Sequence, residues 1–121
     1  MQDLEFRSNQ RRVVLVVDDE ALVRMLAIDL FEEMGFEVLG ADGGLQALSV
    51  LEARPDIAML FTDCRMPGMG GPELAAEAAR RWPCLRIVLV TGYANLTRPE
   101  WPVVQKPFDA NSLERAVTAY G

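Results

Sequence analysis

Apolar residues fall along this chain in two alternating rhythms. Val13 to Val17 is a run of five apolar, mostly β-branched residues, the pattern of a strand buried on both faces. Leu22, Met25, Leu26, Leu30 and Met34 then recur at helical spacing, with Asp29, Glu32 and Glu33 between them. Gly35 stands where such a helix ends. Phe36 to Leu39 predicts a second strand, Asp42-Gly43-Gly44 a turn, and Leu45, Leu48 and Leu51 a second helix closed by Arg54-Pro55. Ile57 to Thr62 predicts a third strand. Pro72 suits the first turn of a helix whose apolar face is Leu74, Ala75, Ala78, Ala79 and Trp82, and Pro83 ends it. Leu85 to Val90 predicts a fourth strand. Residues 95–102 hold Pro99, Trp101 and Pro102, which leaves room for about one helical turn. Val103-Val104-Gln105 is a short fifth strand. Leu113, Ala116, Val117 and Tyr120 mark a last helix, with Asp109 or Asn111 as its N-cap.

Strict alternation of strands and helices implies an α/β fold, a parallel sheet covered on both faces. Right-handed crossovers limit its topology to a few arrangements. The carboxyl ends of all strands then lie along one edge, where ligands of open α/β sheets bind. Strand one brings Asp18 and Asp19 to that edge, strand three Asp63, strand four Thr91 and strand five Lys106. Each has a plain reading by itself: Asp18-Asp19 and Asp63 as helix caps, Lys106 as a solvated charge. Converging from four separate places in the chain, they read as a site.

Three clustered carboxylates repel one another, so a proton or a cation must neutralise them. The chain has no histidine, which removes imidazole catalysis, histidine metal sites and any phosphohistidine on this chain. Hard oxygen donors then select Mg²⁺ (or Mn²⁺), an ion usually held by one or two carboxylates together with a phosphate. Lys106 is the only lysine beside eleven arginines, and a compact ammonium suits a phosphoryl oxygen. Thr91 offers a hydroxyl to a second oxygen, and Gly92 leaves space beside it. Asp63 is then placed to act as a nucleophile, forming an acyl phosphate.

Composition narrows the alternatives. At 121 residues the chain is one domain. A net charge of −6, from 18 acids against 12 bases, argues against nucleic-acid binding. Cys64 and Cys84 lack CxxC spacing and read as two reduced thiols of a cytoplasmic protein. No apolar run reaches a membrane span. Residues 1–12 are polar, carry Arg7, Arg11 and Arg12, lack a signal-peptide core, and are expected to be a flexible tail before a domain over 13–121.

The residues Val-Val-Asp18-Asp19-Glu20, Asp63-Cys-Arg-Met-Pro67-Gly-Met-Gly70-Gly, Thr91-Gly92 and Lys106-Pro107-Phe108 together resemble the receiver domain of two-component response regulators, over essentially all of residues 13–120. The resemblance implies a flavodoxin-like (βα)5 three-layer sandwich with strand order 2-1-3-4-5. It implies that Asp63 is the phosphoacceptor, charged by a histidine kinase or histidine phosphotransfer protein. Asp18, Asp19, Asp63 and the backbone carbonyl of Arg65 would hold Mg²⁺, Thr91 and Lys106 would bind the phosphoryl group, and the Lys106-Pro107 bond would be cis.

Two departures from the family pattern stand out. Val103 occupies the position, three before the lysine, where many receivers carry a switching Tyr or Phe; a similar subgroup has Thr-Gly-Tyr after strand four and no later aromatic. Tyr93 is then the nearest aromatic able to report on the site, against the plain reading of a loop residue. Only 14 residues separate Thr91 from Lys106, so the fourth helix is expected to be short or missing. Trp101 is expected to be buried at the sheet edge rather than to form a contact patch. Arg65 and Tyr93 stand two residues after Asp63 and Thr91, where the family tunes attack of water on the acyl phosphate; both are bulky, so slow autodephosphorylation is expected.

The expected function is therefore a stand-alone receiver in a phosphorelay, since the chain ends at Gly121 with no output domain after it. It would signal to an unidentified output protein by phosphorylation-dependent binding, or act as a phosphate sink. A monomer is expected, with a dimer on phosphorylation left open. The alternatives are a receiver excised from a hybrid histidine kinase and a static, unphosphorylated binding module. A small-molecule phosphatase needs a second acid where Arg65 stands. A flavin carrier needs a phosphate-cradling loop where Asp18-Asp19-Glu20 stands.

Overall fold

The computed structural model describes residues 12–92 and 100–119. The elements are β1 (Val13–Val17), α1 (Ala21–Glu33), β2 (Glu37–Ala41), α2 (Gly44–Ala53), β3 (Ile57–Asp63), α3 (Gly71–Arg81), β4 (Arg86–Thr91), β5 (Val103–Gln105) and α4 (Ala110–Ala119). All neighbouring strands are parallel, and the sheet order is β2-β1-β3-β4-β5.

The two-residue period of a strand divides the core. Val13, Leu15 and Val17 point to one face, with Leu60 and Leu89, and meet Ala47 and Leu51 of α2 and Leu74, Ala75 and Ala78 of α3. Val14 and Val16 point to the other, with Phe61, Val88 and Val90, and meet Ala27 and Phe31 of α1 and Leu113, Ala116 and Val117 of α4. Three aromatic rings lock this second layer edge to face. Phe61 lies 5.1 Å from Phe31 and 5.8 Å from Phe108, centroid to centroid. Such pairs add about 0.5–1.5 kcal/mol each beyond the area they bury.

The helix ends follow local chemistry. Gly35 ends α1 at φ 97°, its N–H donating to the Glu32 carbonyl at 3.0 Å, a conformation that costs a residue with a Cβ more than glycine. Asp109, not Asn111, caps α4: its Oδ1 accepts the Ser112 N–H at 2.9 Å. β2 begins at Glu37 and runs to Ala41, a shift from the expected Phe36–Leu39, because Phe36 packs edge-on against Phe31 instead of pairing with β1.

The apolar face of α1 is the larger correction. Leu22, Met25 and Leu26 are 81%, 57% and 49% exposed. Of the expected face only Leu30 and Met34 pack against the core, and the helix turns Ala27 and Phe31 inward beside them, with partly buried Val23 and Ile28. Phe31 carries the bulk that fills the layer, and its stripe wins. Trp101 is partly buried and packs against the core on the α2–α3 side. Among the described residues no helix lies between β4 and β5; the rest of the expected short helix, like the expected tail over residues 1–11, falls outside the described residues.

Candidate functional site

The carboxyl edge gathers all five residues expected there. Asp18 follows β1 directly, Asp63 and Thr91 are the last residues of β3 and β4, and Lys106 follows β5. Asp18, Asp63 and Thr91 are buried, whereas Asp19 is exposed. Asp18, Asp19 and Asp63 each offer a carboxylate oxygen within 4.8 Å of the others. Lys106 Nζ stands 3.3 Å from Asp63 Oδ2 and 3.4 Å from Asp18 Oδ2.

Backbone hydrogen bonds hold these side chains. The Glu20 N–H donates to Asp18 Oδ1 at 2.9 Å, and Arg24 Nη1 donates to the Asp18 carbonyl at 2.7 Å. The Cys64 N–H donates to Asp63 Oδ1 at 2.9 Å, which leaves Oδ2 turned to the lysine. The Lys106 N–H donates to the Thr91 carbonyl at 2.7 Å, tying the ends of β4 and β5 together, and the Lys106-Pro107 bond is cis. Neither Asp18 nor Asp63 caps a helix. Glu20 occupies the N-cap of α1, and α3 starts with Glu73 Oε1 accepting the Gly70 N–H at 3.0 Å.

Electrostatics set the site's chemistry. Burial, reinforced by the nearby Asp18 carboxylate, pushes the Asp63 carboxyl up from its ordinary 3.8, although Lys106 and the Cys64 N–H pull the other way. Burial opposes charge on Lys106, but Asp63 and Asp18 outweigh it and the ammonium is held above its usual range. Burial also raises the Cys64 thiol, helped by Asp63. One ammonium thus faces two buried carboxylates, with a third acid beside them. That surplus of clustered oxygen charge is what a hard divalent cation relieves, and the donor set fits Mg²⁺.

Beside these groups opens a cleft of about 310 Å³, lined by Asp19, Glu20, Asp63, Arg65, Thr91, Gly92 and Lys106. A Cβ on Gly92 would meet no described atom within 4 Å. Val103, at the head of β5, is 36% exposed. Tyr93 lies outside the described residues.

Three contributors escaped sequence reasoning. Glu20 Oε1 lies 3.8 Å from Lys106 Nζ, signalled only by its place after Asp18-Asp19. Arg24, six residues past Asp18, reaches back from the first turn of α1 with no motif to announce it. Gly71 is packed so tightly that a Cβ there would overlap the Asp63 carbonyl oxygen; its N–H donates to the Cys64 carbonyl at 2.9 Å. The tight return of the chain at Gly71 holds the loop after Asp63 against the strand end.

Comparison with known proteins agrees with this architecture. The family model of the response regulator receiver domain matches residues 14–118. Sporulation initiation phosphotransferase F of Bacillus subtilis is 30% identical over 115 residues, covering 88% of this chain and 91% of that protein. Response regulator receiver protein CpdR of Brucella abortus is 34% identical over 105 residues, covering 87% and 84%. The crystal structure of a receiver domain protein from Clostridium thermocellum superposes with a TM-score of 0.82 at 25% identity, covering 89% of this chain and 92% of that one. Other relatives are far longer: the chain spans 26% of the DNA-binding transcriptional regulator NtrC of Escherichia coli and 12% of the sensor kinase CckA of Brucella abortus. A match over nearly all of the folded chain, on a sheet whose carboxyl edge gathers an acidic triad and a lysine, leaves one assignment: the chain belongs to the response regulator receiver domain family.

Proposed function

We propose that this chain accepts a phosphoryl group on Asp63 from a histidine kinase or histidine phosphotransfer protein and passes the signal on by protein binding. The observation that carries the reading is the placement of Asp63 Oδ2 in an open cleft, 3.3 Å from the Lys106 ammonium and beside two further carboxylates. In the transfer, Asp63 Oδ2 attacks phosphorus, the donor's P–N bond breaks, and its electron pair returns to the imidazole. Lys106 and the Thr91 hydroxyl hold the equatorial oxygens, and the Cys64 N–H keeps Asp63 aimed. Asp18, Asp19, Asp63 and the Arg65 carbonyl would hold Mg²⁺, which supplies the positive charge that neutralises carboxylates and phosphoryl oxygens. Alignment and neutralisation are the main demands of phosphoryl transfer.

The donor has a surface to rest on. Leu22, Met25 and Leu26 expose one apolar stripe of α1, the helix that starts three residues after Asp18, and stripes of this kind mark protein contacts. Arg65, a bulky residue lining the cleft, shields the acyl phosphate from water, so its loss is slow. With Val103 in place of an aromatic on β5, Tyr93 and the space beside Gly92 are where the change in charge is read out. A cytoplasmic monomer that binds an output partner after phosphorylation accounts for these features; a phosphate sink uses the same site without the partner.

Incubation with acetyl phosphate and Mg²⁺ followed by intact-mass measurement tests the reading. A gain of one phosphoryl, absent in Asp63→Asn, is expected; no gain under any condition would leave a static binding module. The 34% identity to the sensor kinase CckA favours a second reading in which the same chemistry serves as the receiver segment of a hybrid kinase.

A further inference from the structure

Of the three acids at the carboxyl edge, Asp18 is the most buried, 4% exposed against 7% for Asp63. Its N–H donates to the Ala41 carbonyl at 3.2 Å. Its Oδ1 accepts the Glu20 N–H at 2.9 Å, which leaves Oδ2 facing Lys106. Its carbonyl needs a different solution. β2 pairs with β1 only as far as Ala41, opposite Val17, so the ladder has run out where the next carbonyl, that of Asp18, needs a donor. A buried carbonyl left without one is costly. Arg24 Nη1 fills the place at 2.7 Å.

The fold gives the arginine a path to this bond. The Arg24 N–H donates to the Glu20 carbonyl at 2.9 Å, so the residue sits in the first turn of α1. A helical side chain leans back toward the amino end of its helix, here toward the end of β1. Its stem crosses β2 at Gly40: a Cβ on that glycine would lie 3.5 Å from Arg24 Cδ and 3.2 Å from Ile28 Cδ1. A side chain longer than a methyl at position 40 would stand in the stem's way. Among the described residues Arg24 makes no ion pair. Its charge is directed at a neutral carbonyl, and a bond from a cationic donor is about twice as strong as one between neutral groups.

We infer that Arg24 is a positioning residue of the cation site. On the reading that Asp18, Asp19 and Asp63 hold Mg²⁺, it sets the affinity for the ion by locking the Asp18 backbone, and is not itself a ligand. The turn it locks runs from Asp18 to Glu20, and the bond from the Glu20 N–H to Asp18 Oδ1 depends on that turn. Asp18 then meets the ion with its carboxylate already aimed, so less freedom is lost on binding. Partners that orient metal ligands are worth about 10–100-fold in affinity. One N–H makes the bond, so the planar fork of arginine is not required, and a lysine should serve in its place.

Isothermal titration calorimetry with Mg²⁺ alone measures the affinity. Amide hydrogen exchange in metal-free protein measures the placement. Both are run where every variant is folded by circular dichroism. Arg24→Met keeps a stem over Gly40 and removes the donor. It should weaken Mg²⁺ binding roughly tenfold and speed exchange of the Glu20 N–H severalfold, because Asp18 Oδ1 holds that N–H. Arg24→Lys should recover most of both. Gly35→Ala strains the far end of the same helix, where φ is 97°, about 20 Å away over thirteen residues. It should lower the melting temperature and leave both readouts alone. Wild-type Mg²⁺ affinity in Arg24→Met, no recovery in Arg24→Lys, or an equal loss in Gly35→Ala would each overturn the inference. A wild-type chain that binds no Mg²⁺, even while Glu20 exchange responds to Arg24→Met, would overturn the metal reading and the affinity claim with it.

Discussion

Lys106 Nζ lies 3.3 Å from Asp63 Oδ2 and nearly as close, 3.4 Å, to Asp18 Oδ2. One ammonium from the end of β5 thus holds together the carboxylates that end β1 and β3. Lys106→Ala leaves both carboxylates without it. The lysine is partly exposed, so the loss is smaller than for a fully buried pair, about 1–2 kcal/mol in metal-free protein at pH 7. Phosphoryl transfer loses an oxygen-binding cation and should slow roughly 10²-fold. Urea unfolding and the rate of phosphorylation by acetyl phosphate measure the two effects; unchanged rates would remove Lys106 from the phosphoryl-binding role.

Because the folded Asp63 carboxyl is raised above 3.8 by burial and Asp18, the native state holds more protons than the unfolded chain between those two values. Metal-free stability therefore falls as pH rises from 3.8 through the raised value, and the deficit is complete above it. Asp63→Asn removes that component and should raise the metal-free melting temperature at pH 7 by a few degrees. Mg²⁺ acts the same way on the wild type, adding about 2.7 kcal/mol at a hundredfold excess over Kd. Chelation reverses it, and the gain shrinks in Asp63→Asn. Thermal melts with and without Mg²⁺ at several pH values check both signs.

Gly71 has no room for a methyl group against the Asp63 carbonyl. Gly71→Ala must push the loop off the end of β3, at about 1–3 kcal/mol. The same displacement moves the Arg65 carbonyl relative to Asp63, so the Mg²⁺ affinity should fall with the stability. A Gly71→Ala chain with wild-type stability and wild-type Mg²⁺ affinity would show that the loop is not held there.

The exposed stripe of α1 separates docking from chemistry. Met25 is 57% exposed, so Met25→Ser should change stability by no more than about 0.5 kcal/mol. With acetyl phosphate the rate should match wild type. With a phosphorylated histidine phosphotransfer protein, the concentration needed for half-maximal transfer should rise severalfold. Equal loss with both donors would place the effect in the cleft rather than on the stripe.

Much of this molecule is readable from residue order. Five strands and their helices follow from runs such as Val13–Val17 and from glycine and proline stops, and Asp18, Asp19, Asp63, Thr91 and Lys106 meet because parallel strands end on one edge. What could not be read depends on choices between equals or on loop shape. α1 carries two apolar stripes, and helical spacing alone does not say that Phe31 would turn inward and leave Leu22 and Met25 outside. Arg24 meets the Asp18 carbonyl only because the turn from β1 into α1 brings its side chain back.

The central claim is that Asp63, and no other group, carries the phosphoryl. Borohydride reduces an aspartyl phosphate to homoserine, which marks the residue permanently. After reaction with acetyl phosphate and Mg²⁺, reduction and peptide sequencing by tandem mass spectrometry should find homoserine at position 63 and nowhere else. Homoserine at Asp18 or Asp19, or none in a chain that binds Mg²⁺, would contradict the account.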